Sequence, residues 1–210
     1  AFDAMGGEMS YSLLLTDANN KGVIMVEEIK KDLESLLSEY RYNHCLRVGE
    51  TAASLAKHYK INAEEAYLAG LTHDIAKEFT MEENEQFIKE HNLDENLLDP
   101  ENKKFIHGIV GAVLVREKYH FNKDMVNAIY YHTTGRPNMS DLEKIVYLAD
   151  KIEPGKNYQG IEEERHLAYQ DLDKAVILCL ETKIKKLTSE GKPIHQDTIK
   201  TLNYFKEKSI

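Results

Sequence analysis

Apolar residues recur at intervals of three and four positions along almost the whole chain from Met25 onward. This spacing places them on one face of an α-helix, and no stretch alternates apolar and polar residues long enough to predict a β-strand. Helices are predicted over residues 25–40, 42–59, 63–77, 81–90, 105–120, 123–133, 141–152, 162–169, 171–189 and 196–207. The pattern therefore predicts an all-α fold.

Capping boxes mark three of the predicted helix starts, with a polar cap residue followed three positions later by glutamate. The pairs are Asn62 with Glu65, Thr80 with Glu83, and Ser140 with Glu143. The stretches between the helices are short, and none resembles a linker between two domains. We expect one helical bundle over residues 25–210.

The first 24 residues lack this periodicity and mix glycines, asparagines and a short apolar patch. Met25 then opens an amphipathic helix. We interpret residues 1–24 as a non-native or flexible N-terminal extension and Met25 as the natural start of the protein. The alternative is a short ordered arm.

The composition is that of a globular protein, with 42% apolar and 30% charged residues. No apolar run approaches the ~20 residues that a membrane-spanning helix needs, and no signal peptide is recognisable. The two cysteines, Cys45 and Cys179, lie far apart in the chain, which is typical of a reducing compartment. We expect a cytoplasmic protein with no membrane partner.

The formal net charge is −9, and no cluster of Lys and Arg stands out along the sequence. A protein that binds nucleic acid normally carries a basic patch, so we do not expect nucleic acid as a partner. An acidic protein that binds a phosphate compound needs a local source of positive charge. Bound metal cations can provide it.

Four of the nine histidines lie inside apolar helical stretches, and they are His44, His73, His107 and His132. A single buried histidine is usually a core residue with satisfied hydrogen bonds, but four in one small domain each need a partner. The other five lie in polar surroundings or near helix ends, where surface and capping roles are typical.

Two aspartates interrupt equally apolar stretches. Asp74 follows His73 directly, and Asp150 lies within the segment KIVYLADKI. Burial of a carboxylate is costly unless it is paired or bound to a cation. Imidazoles that share an interior with carboxylates are typical ligands of a divalent transition metal, and Fe, Mn, Co, Ni and Zn are all compatible with them. The six residues together predict a metal site.

The order His44, His73-Asp74 and Asp150 resembles the HD superfamily of metal-dependent phosphohydrolases over about residues 26–205. Within it, RYNHCLRV, LAGLTHDIAK, HGIVGA, YYHTTGR and LADKIEPGK resemble the YqeK-type family of bacterial symmetrical diadenosine-tetraphosphate hydrolases. The resemblance implies a single HD-domain helical bundle, a di-iron centre and cleavage of this small nucleotide polyphosphate into two ADP. In one departure, Lys156 stands where the family usually has arginine, which keeps the charge but loses a bidentate fork to phosphate.

The resemblance also implies how the ligands are shared. His44, His73, Asp74 and Asp150 would hold one metal, and Asp74 would bridge to a second metal held by His107 and His132. Two metals lower the pKa of a bound water and neutralise charge on the attacked phosphoryl group. The expected nucleophile is therefore a metal-bound hydroxide.

Polar and positive side chains near these ligands are candidates for binding the polyphosphate. Lys77 follows His73 by four positions and so lies on the same side of the predicted helix. We expect Lys77 to act in catalysis together with Asp74. Arg136 follows His132 by the same interval. The expected substrate contacts are Lys77, Thr133, Arg136 and Lys156.

Two alternatives stay open at this point. The same metal site is compatible with a nucleotidase or phosphodiesterase that acts on another nucleotide. A nucleotide-binding regulator with a degenerate site is the second alternative, although all six expected ligands are present. Fold analogy alone suggests a homodimer.

Overall fold

The computed structural model describes residues 20–100 and 102–208, with the side chains of residues 20–23 excepted. This part of the chain is all-α and contains no strand, as predicted. Its helices are α1 (Asn20–Leu36), α2 (Glu39–His58), α3 (Ala63–Thr72), α4 (Met81–Glu90), α5 (Ile106–Lys118), α6 (Lys123–Tyr131), α7 (Asp141–Ile152), α8 (Ile161–Ala168), α9 (Leu172–Ser189) and α10 (Gln196–Lys208). A short 3₁₀ helix, Glu95–Leu98, precedes α5.

The apolar faces of these helices meet in one main core. α2 packs along α3, and α7 lies against α2, α6 and α9. The largest fully buried side chains include Tyr147, Leu55 and Phe205, which come from α7, α2 and α10. A smaller cluster forms around Ile88 and Val110, where α4 packs on α5. None of the helices in the described ranges is long and apolar enough to cross a membrane.

Polar caps fix several helix starts where the sequence predicts them. Capping boxes form at Thr80 with Glu83 and at Ser140 with Glu143. Asn62 caps α3 through two backbone amides. The Glu65 carboxylate, however, accepts a hydrogen bond from the Asn122 side chain at 3.0 Å. The polar caps indicate the residue at which each of these helices begins, which apolar periodicity alone does not.

Several helix boundaries differ from the predicted ones. α1 begins at Asn20 rather than at Met25 and ends at Leu36 rather than at residue 40. Residues 1–19 lie outside the described residues, and a non-native or flexible extension over residues 1–24 stays a prediction. α3 ends at Thr72 rather than residue 77, because the next peptide groups make three-residue turns such as Ile75 N–H to Thr72 O, 3.0 Å. α6 ends at Tyr131. His73 and His132 therefore each lie just past the end of a helix.

Glycines allow the two central helices to approach closely. A Cβ atom on Gly70 would lie 3.0 Å from Gly49 Cα and 3.0 Å from Val48 O. With contacts this short, a larger residue at position 70 would require the backbone of α2 to shift. The crossing of α2 and α3 at these glycines brings His44 on α2 near His73 at the end of α3.

Candidate metal centre

The six predicted ligands converge on one point of the bundle. They are supplied by α2, by the turns after α3 and α6, by the first turn of α5 and by α7. Gly108 helps to bring α5 close, because a Cβ there would lie 3.1 Å from Tyr130 O and 3.4 Å from His132 Cε1. The four imidazoles and Asp74 are buried, and only the Asp150 side chain is partly exposed, at 15%.

Asp74 lies at the centre of the cluster and faces two histidine pairs with its two oxygens. Its Oδ2 is 3.4 Å from His73 Nε2 and 3.9 Å from His44 Nε2. Its Oδ1 is 3.2 Å from His107 Nε2 and 3.5 Å from His132 Nε2. A carboxylate with a different pair of imidazoles at each oxygen has the arrangement that bridging between two cations requires.

Hydrogen bonds on the opposite ring nitrogens fix how three of the imidazoles point. His73 Nδ1–H donates to Gly70 O at 2.7 Å, and His132 Nδ1–H donates to Ile129 O at 2.6 Å. Both acceptors are carbonyls of the preceding helix end. His44 Nδ1 lies 3.1 Å from the Glu153 carboxylate. These contacts turn the Nε2 atom of each of the three rings toward the cluster, which is the nitrogen that a metal would bind.

The donor atoms of the cluster fit a cation. His44 Nε2 lies 3.1 Å from Asp150 Oδ1, and its Nδ1 lies at the same distance from Glu153 Oε1, so the ring is held between two carboxylates. The Nε2 atoms of both His44 and His73 are buried without a hydrogen-bond partner in the part of the chain that the structure describes. The ligand atoms of His44, His73 and Asp150 lie within 4.8 Å of one another, as do those of His73, Asp74 and His132. Imidazole nitrogens and carboxylate oxygens at this spacing fit divalent transition metals.

The pKa values of the cluster reflect the same strong coupling. Burial disfavours the charged form of His73, but the Asp74 and Asp150 carboxylates raise its pKa to about 9. Burial lowers the pKa of His107 to about 4. Burial also disfavours the ionised forms of Asp74 and Asp150. Nevertheless, His73 holds the pKa of Asp74 well below its usual range, and Lys151 together with His73 does the same for the pKa of Asp150. Both carboxylates are therefore ionised and ready to bind a cation at neutral pH.

Sequence reasoning missed the residues that hold the ligands from outside. Glu153 orients His44 and is itself held by Arg47 Nε at 2.6 Å and the Gly155 N–H at 2.5 Å. Arg41 donates to Asp74 Oδ2 at 2.8 Å. A signal was present, because Arg41 and Arg47 flank His44 at helical spacing and Glu153 follows Asp150 by three positions.

Three predicted substrate contacts lie beside the cluster. Lys77 Nζ is 3.1 Å from His107 Nε2 and 4.0 Å from Asp74 Oδ1. Thr133 Oγ1 is 3.3 Å from His132 Nε2. Lys156 Nζ is 4.0 Å from Asp150 Oδ1. A cavity of about 690 Å³ opens here, and Lys77, His107 and Thr133 contribute to its wall.

Arg136, the fourth predicted contact, is engaged elsewhere. Its Nε and terminal nitrogen donate to the two Glu143 oxygens at 2.6 and 2.9 Å, and its guanidinium lies 5.0 Å from the Tyr131 ring centroid. Glu143 is buried and also completes the cap of α7. This arrangement favours a structural role for Arg136 over the predicted contact with phosphate.

A further cation near the cluster comes from the distant helix α9. The Lys183 ammonium donates to the carbonyl of Thr133. Burial lowers its pKa to about 7, and the nearby ammonium groups of Lys151 and Lys77 act in the same direction. No motif in the sequence points to Lys183, since its proximity depends on how α9 packs against α7.

Comparisons with known proteins agree with this geometry. The family model described as HD domain matches residues 41–155. A Bacillus subtilis protein named bis(5'-nucleosyl)-tetraphosphatase, symmetrical, is 38% identical over 180 residues, which are 85% of this chain and 96% of that protein. A Halalkalibacterium halodurans protein of the same name is 41% identical over 168 residues, 80% of this chain and 89% of that protein.

A solved structure shares the fold. It is the crystal structure of a Clostridium acetobutylicum protein described as a predicted HD superfamily hydrolase involved in NAD metabolism. The two structures superpose with a TM-score of 0.81 at 38% identity, covering 87% of this chain and 97% of the other. The likeness therefore extends over the whole bundle and is not confined to the ligand motifs.

Proposed function

We infer from its membership of the HD domain family, and within it of the family of symmetrical bis(5'-nucleosyl)-tetraphosphatases, that this chain hydrolyses diadenosine tetraphosphate to two ADP. The observation that carries the proposal is the Asp74 carboxylate, which faces a different pair of buried histidine Nε2 atoms at each of its two oxygens. It supports a site built for cations, beside a cavity with cationic walls.

The proposed ligands are His44, His73, Asp74, His107, His132 and Asp150, with Asp74 shared between two divalent metals. Iron is the metal we propose, and Mn, Co, Ni and Zn suit the same donors. When bound, such metals supply a water of lowered pKa and neutralise charge on the phosphoryl group. The ligand atoms already converge, and the cationic side chains of Arg41 and Lys77 that contact Asp74 and His107 would move aside as metal binds.

The reaction divides the polyphosphate at its centre. Oxygen from water bonds to one inner phosphorus, and the bond from that phosphorus to the central bridging oxygen breaks. The electron pair leaves with the bridging oxygen of the second ADP. The displaced water protons leave to solvent or to the departing oxygen, so each product is an ADP.

Three side chains of the chain are proposed to bind the substrate. The Lys77 ammonium, next to His107 and Asp74, would contact an oxygen of the attacked phosphoryl group and oppose the growing negative charge. The Thr133 hydroxyl would donate a hydrogen bond to the same group. Lys156, on the far side of Asp150, would contact the second ADP unit.

Product analysis of the metal-loaded protein tests this function. Diadenosine tetraphosphate should yield two ADP without ATP or AMP, and ¹⁸O-labelled water should leave one label in one of the two ADP molecules. ATP with AMP would mean an asymmetric binding register and would contradict the proposal. Release of phosphate from mononucleotides without cleavage of any dinucleotide would favour a nucleotidase. His132→Ala should abolish turnover, and exposed His166→Ala is the matched control.

The cytoplasmic location and the homodimer stay predictions. Both would be read from the native protein, the first by fractionation of the source cells and the second by the mass of the particle in solution.

A further inference from the structure

A second cavity, of about 990 Å³, adjoins the metal centre on the side of α9. Seven of its fifteen lining residues are lysines and two are glutamates, in a chain whose net charge is −9. The glutamates are already engaged: Glu164 accepts from the Tyr158 hydroxyl, and Glu190 pairs with Lys192 at 2.5 Å. Asp150 offsets Lys151 and Lys156 in turn, so the positive charge of the cavity comes chiefly from Lys104, Lys185 and Lys186, for which the described residues show no ion pair.

This cavity comes close to the metal ligands through two lysines. Lys151 and Lys156 line it, and the ammonium groups of both face Asp150. Lys104, Lys183 and Leu187 line this cavity and also the 690 Å³ cavity that His107 lines. The two cavities are therefore adjacent, and each has lining residues at or beside the ligand cluster.

We propose that the lysine-lined cavity is a second nucleotide half-site, which holds one ADP unit of a dinucleoside polyphosphate while the other unit lies beside His107. This inference rests on the proposed function. The middle of the polyphosphate then crosses the metal ligands, and Lys183 contacts it at the junction between the two cavities. A dinucleotide engages both halves, whereas a mononucleotide engages one.

The chemistry of the cavity favours a small polyanion over a nucleic acid. Its volume falls within the ~300–1,000 Å³ that is usual for pockets that bind small ligands. Lys185 and Lys186 are exposed at its outer part, and neither has an ion pair within the described residues. Positive charge focused in a cleft of an acidic protein attracts anionic ligands to that cleft alone.

The direct test is the number of ADP molecules that the metal-loaded protein binds, measured by isothermal titration calorimetry. The wild type should bind two ADP per chain, and the double variant K185Q/K186Q should bind one. The analogue of diadenosine tetraphosphate with a methylene group at the central bridge should bind the variant at least about tenfold more weakly, because charge-assisted hydrogen bonds to phosphate are lost. K123Q/K174Q removes the same charge from exposed lysines outside both cavities and should leave binding unchanged.

A single ADP per chain in the wild type, or an equal loss in both double variants, overturns the half-site. Lysine-dependent binding of short single-stranded RNA without a second ADP also overturns it, in favour of a nucleic-acid surface. If two ADP sites are found, one of them lost in K185Q/K186Q, but diadenosine tetraphosphate is not cleaved, the proposed function fails and the half-site stands. If diadenosine tetraphosphate is cleaved to two ADP but only one ADP site is found, the half-site fails and the proposed function stands.

Discussion

The Nδ1 atom of His44 lies 3.1 Å from Oε1 of Glu153, a residue 109 positions further along the chain. This contact joins α2 to the end of α7 and holds the ring so that the opposite nitrogen, Nε2, faces Asp150. The orientation of one ligand thus depends on a carboxylate that is not itself a ligand.

Glu153→Ala should weaken metal binding about 10–100-fold, the usual cost of losing a partner that orients a metal-bound histidine. Glu153→Gln should lose less, since the amide oxygen still accepts the Nδ1–H bond. Metal content after dialysis against graded chelator would measure both. Glu163→Ala, on the exposed face of α8, is the control. Unchanged metal retention in Glu153→Ala would show that His44 does not depend on this contact.

Asp74→Ala should remove metal and reduce kcat at least about 10³-fold, because several kcal/mol of transition-state stabilisation depend on the shared carboxylate. Its oxygens face both histidine pairs, so both metal positions should be affected. Elemental analysis alongside the rate of diadenosine tetraphosphate cleavage would measure the two effects. A variant with full metal content and activity would rule out the bridging role.

Lys77→Ala and Arg136→Ala should have different consequences. Loss of Lys77 should lower kcat about 10–100-fold, the value of one charge-assisted hydrogen bond, with metal content near normal. Loss of Arg136 leaves the buried Glu143 carboxylate without its partner and should cost about 1–3 kcal/mol of folding stability. Thermal denaturation and steady-state kinetics separate these outcomes. Arg116→Ala, at an exposed surface pair, should change neither.

Metal binding should release a proton from His73. Its pKa of about 9 in the metal-free cluster means that the ring is protonated at pH 7.5, and a metal must displace that proton. Calorimetry in buffers with different ionisation enthalpies should detect the release, and apparent metal affinity should rise with pH up to about pH 9. Metal affinity that is independent of pH from 7 to 9 would contradict it.

The same shift predicts the pH dependence of stability without metal. The folded pKa of His73 is raised above the unfolded value of 6.5. Its contribution is therefore complete below pH 6.5 and is lost as the pH rises through about 9. The melting temperature of the metal-free protein, measured across this range, should fall, and that of the loaded protein should fall less.

Gly70→Ala should destabilise the protein by about 1–3 kcal/mol, although alanine is the better helix former, because the added methyl would meet the backbone of α2. Gly111→Ala is the comparison and should cost less, since its new Cβ would meet a side-chain methyl, Ile75 Cγ2, at 3.2 Å and no backbone atom within 4 Å. Chemical denaturation would compare them. Equal stability of both variants would show that α2 and α3 can separate without cost.

The fold class and helix starts could be predicted because burial and capping leave direct marks in the sequence. The end of α3 could not. Ile75 and Ala76 stay buried after the helix has ended, so the apolar pattern runs on to residue 77. Apolar periodicity indicates which side chains are buried. It does not distinguish a helix from a turn when the side chains stay buried in both.

Some residues of the candidate site could likewise be predicted from the sequence, and others could not. Ligands such as His107 and Asp150 stand out because a polar residue in an apolar stretch needs an explanation. A lysine in a charged helix does not, so Lys183 could be found only once α9 was seen beside α7. The substrate contact of Arg136 stays a prediction for a related reason, since a guanidinium can bind either phosphate or Glu143 and sequence spacing does not distinguish the two.

Hydrogen bonds to main-chain carbonyl oxygens orient the rings of His73 and His132, whereas a side-chain carboxylate orients the ring of His44. Every amino acid carries a carbonyl, so no substitution at position 129 can delete the group that aims His132. A single base change at codon 153 can delete the group that aims His44. Substitutions at the supporting positions therefore leave the orienting groups of His73 and His132 in place. The orientation of His44 instead requires that residue 153 keep a side chain that accepts its hydrogen bond, so positions 44 and 153 are expected to change together.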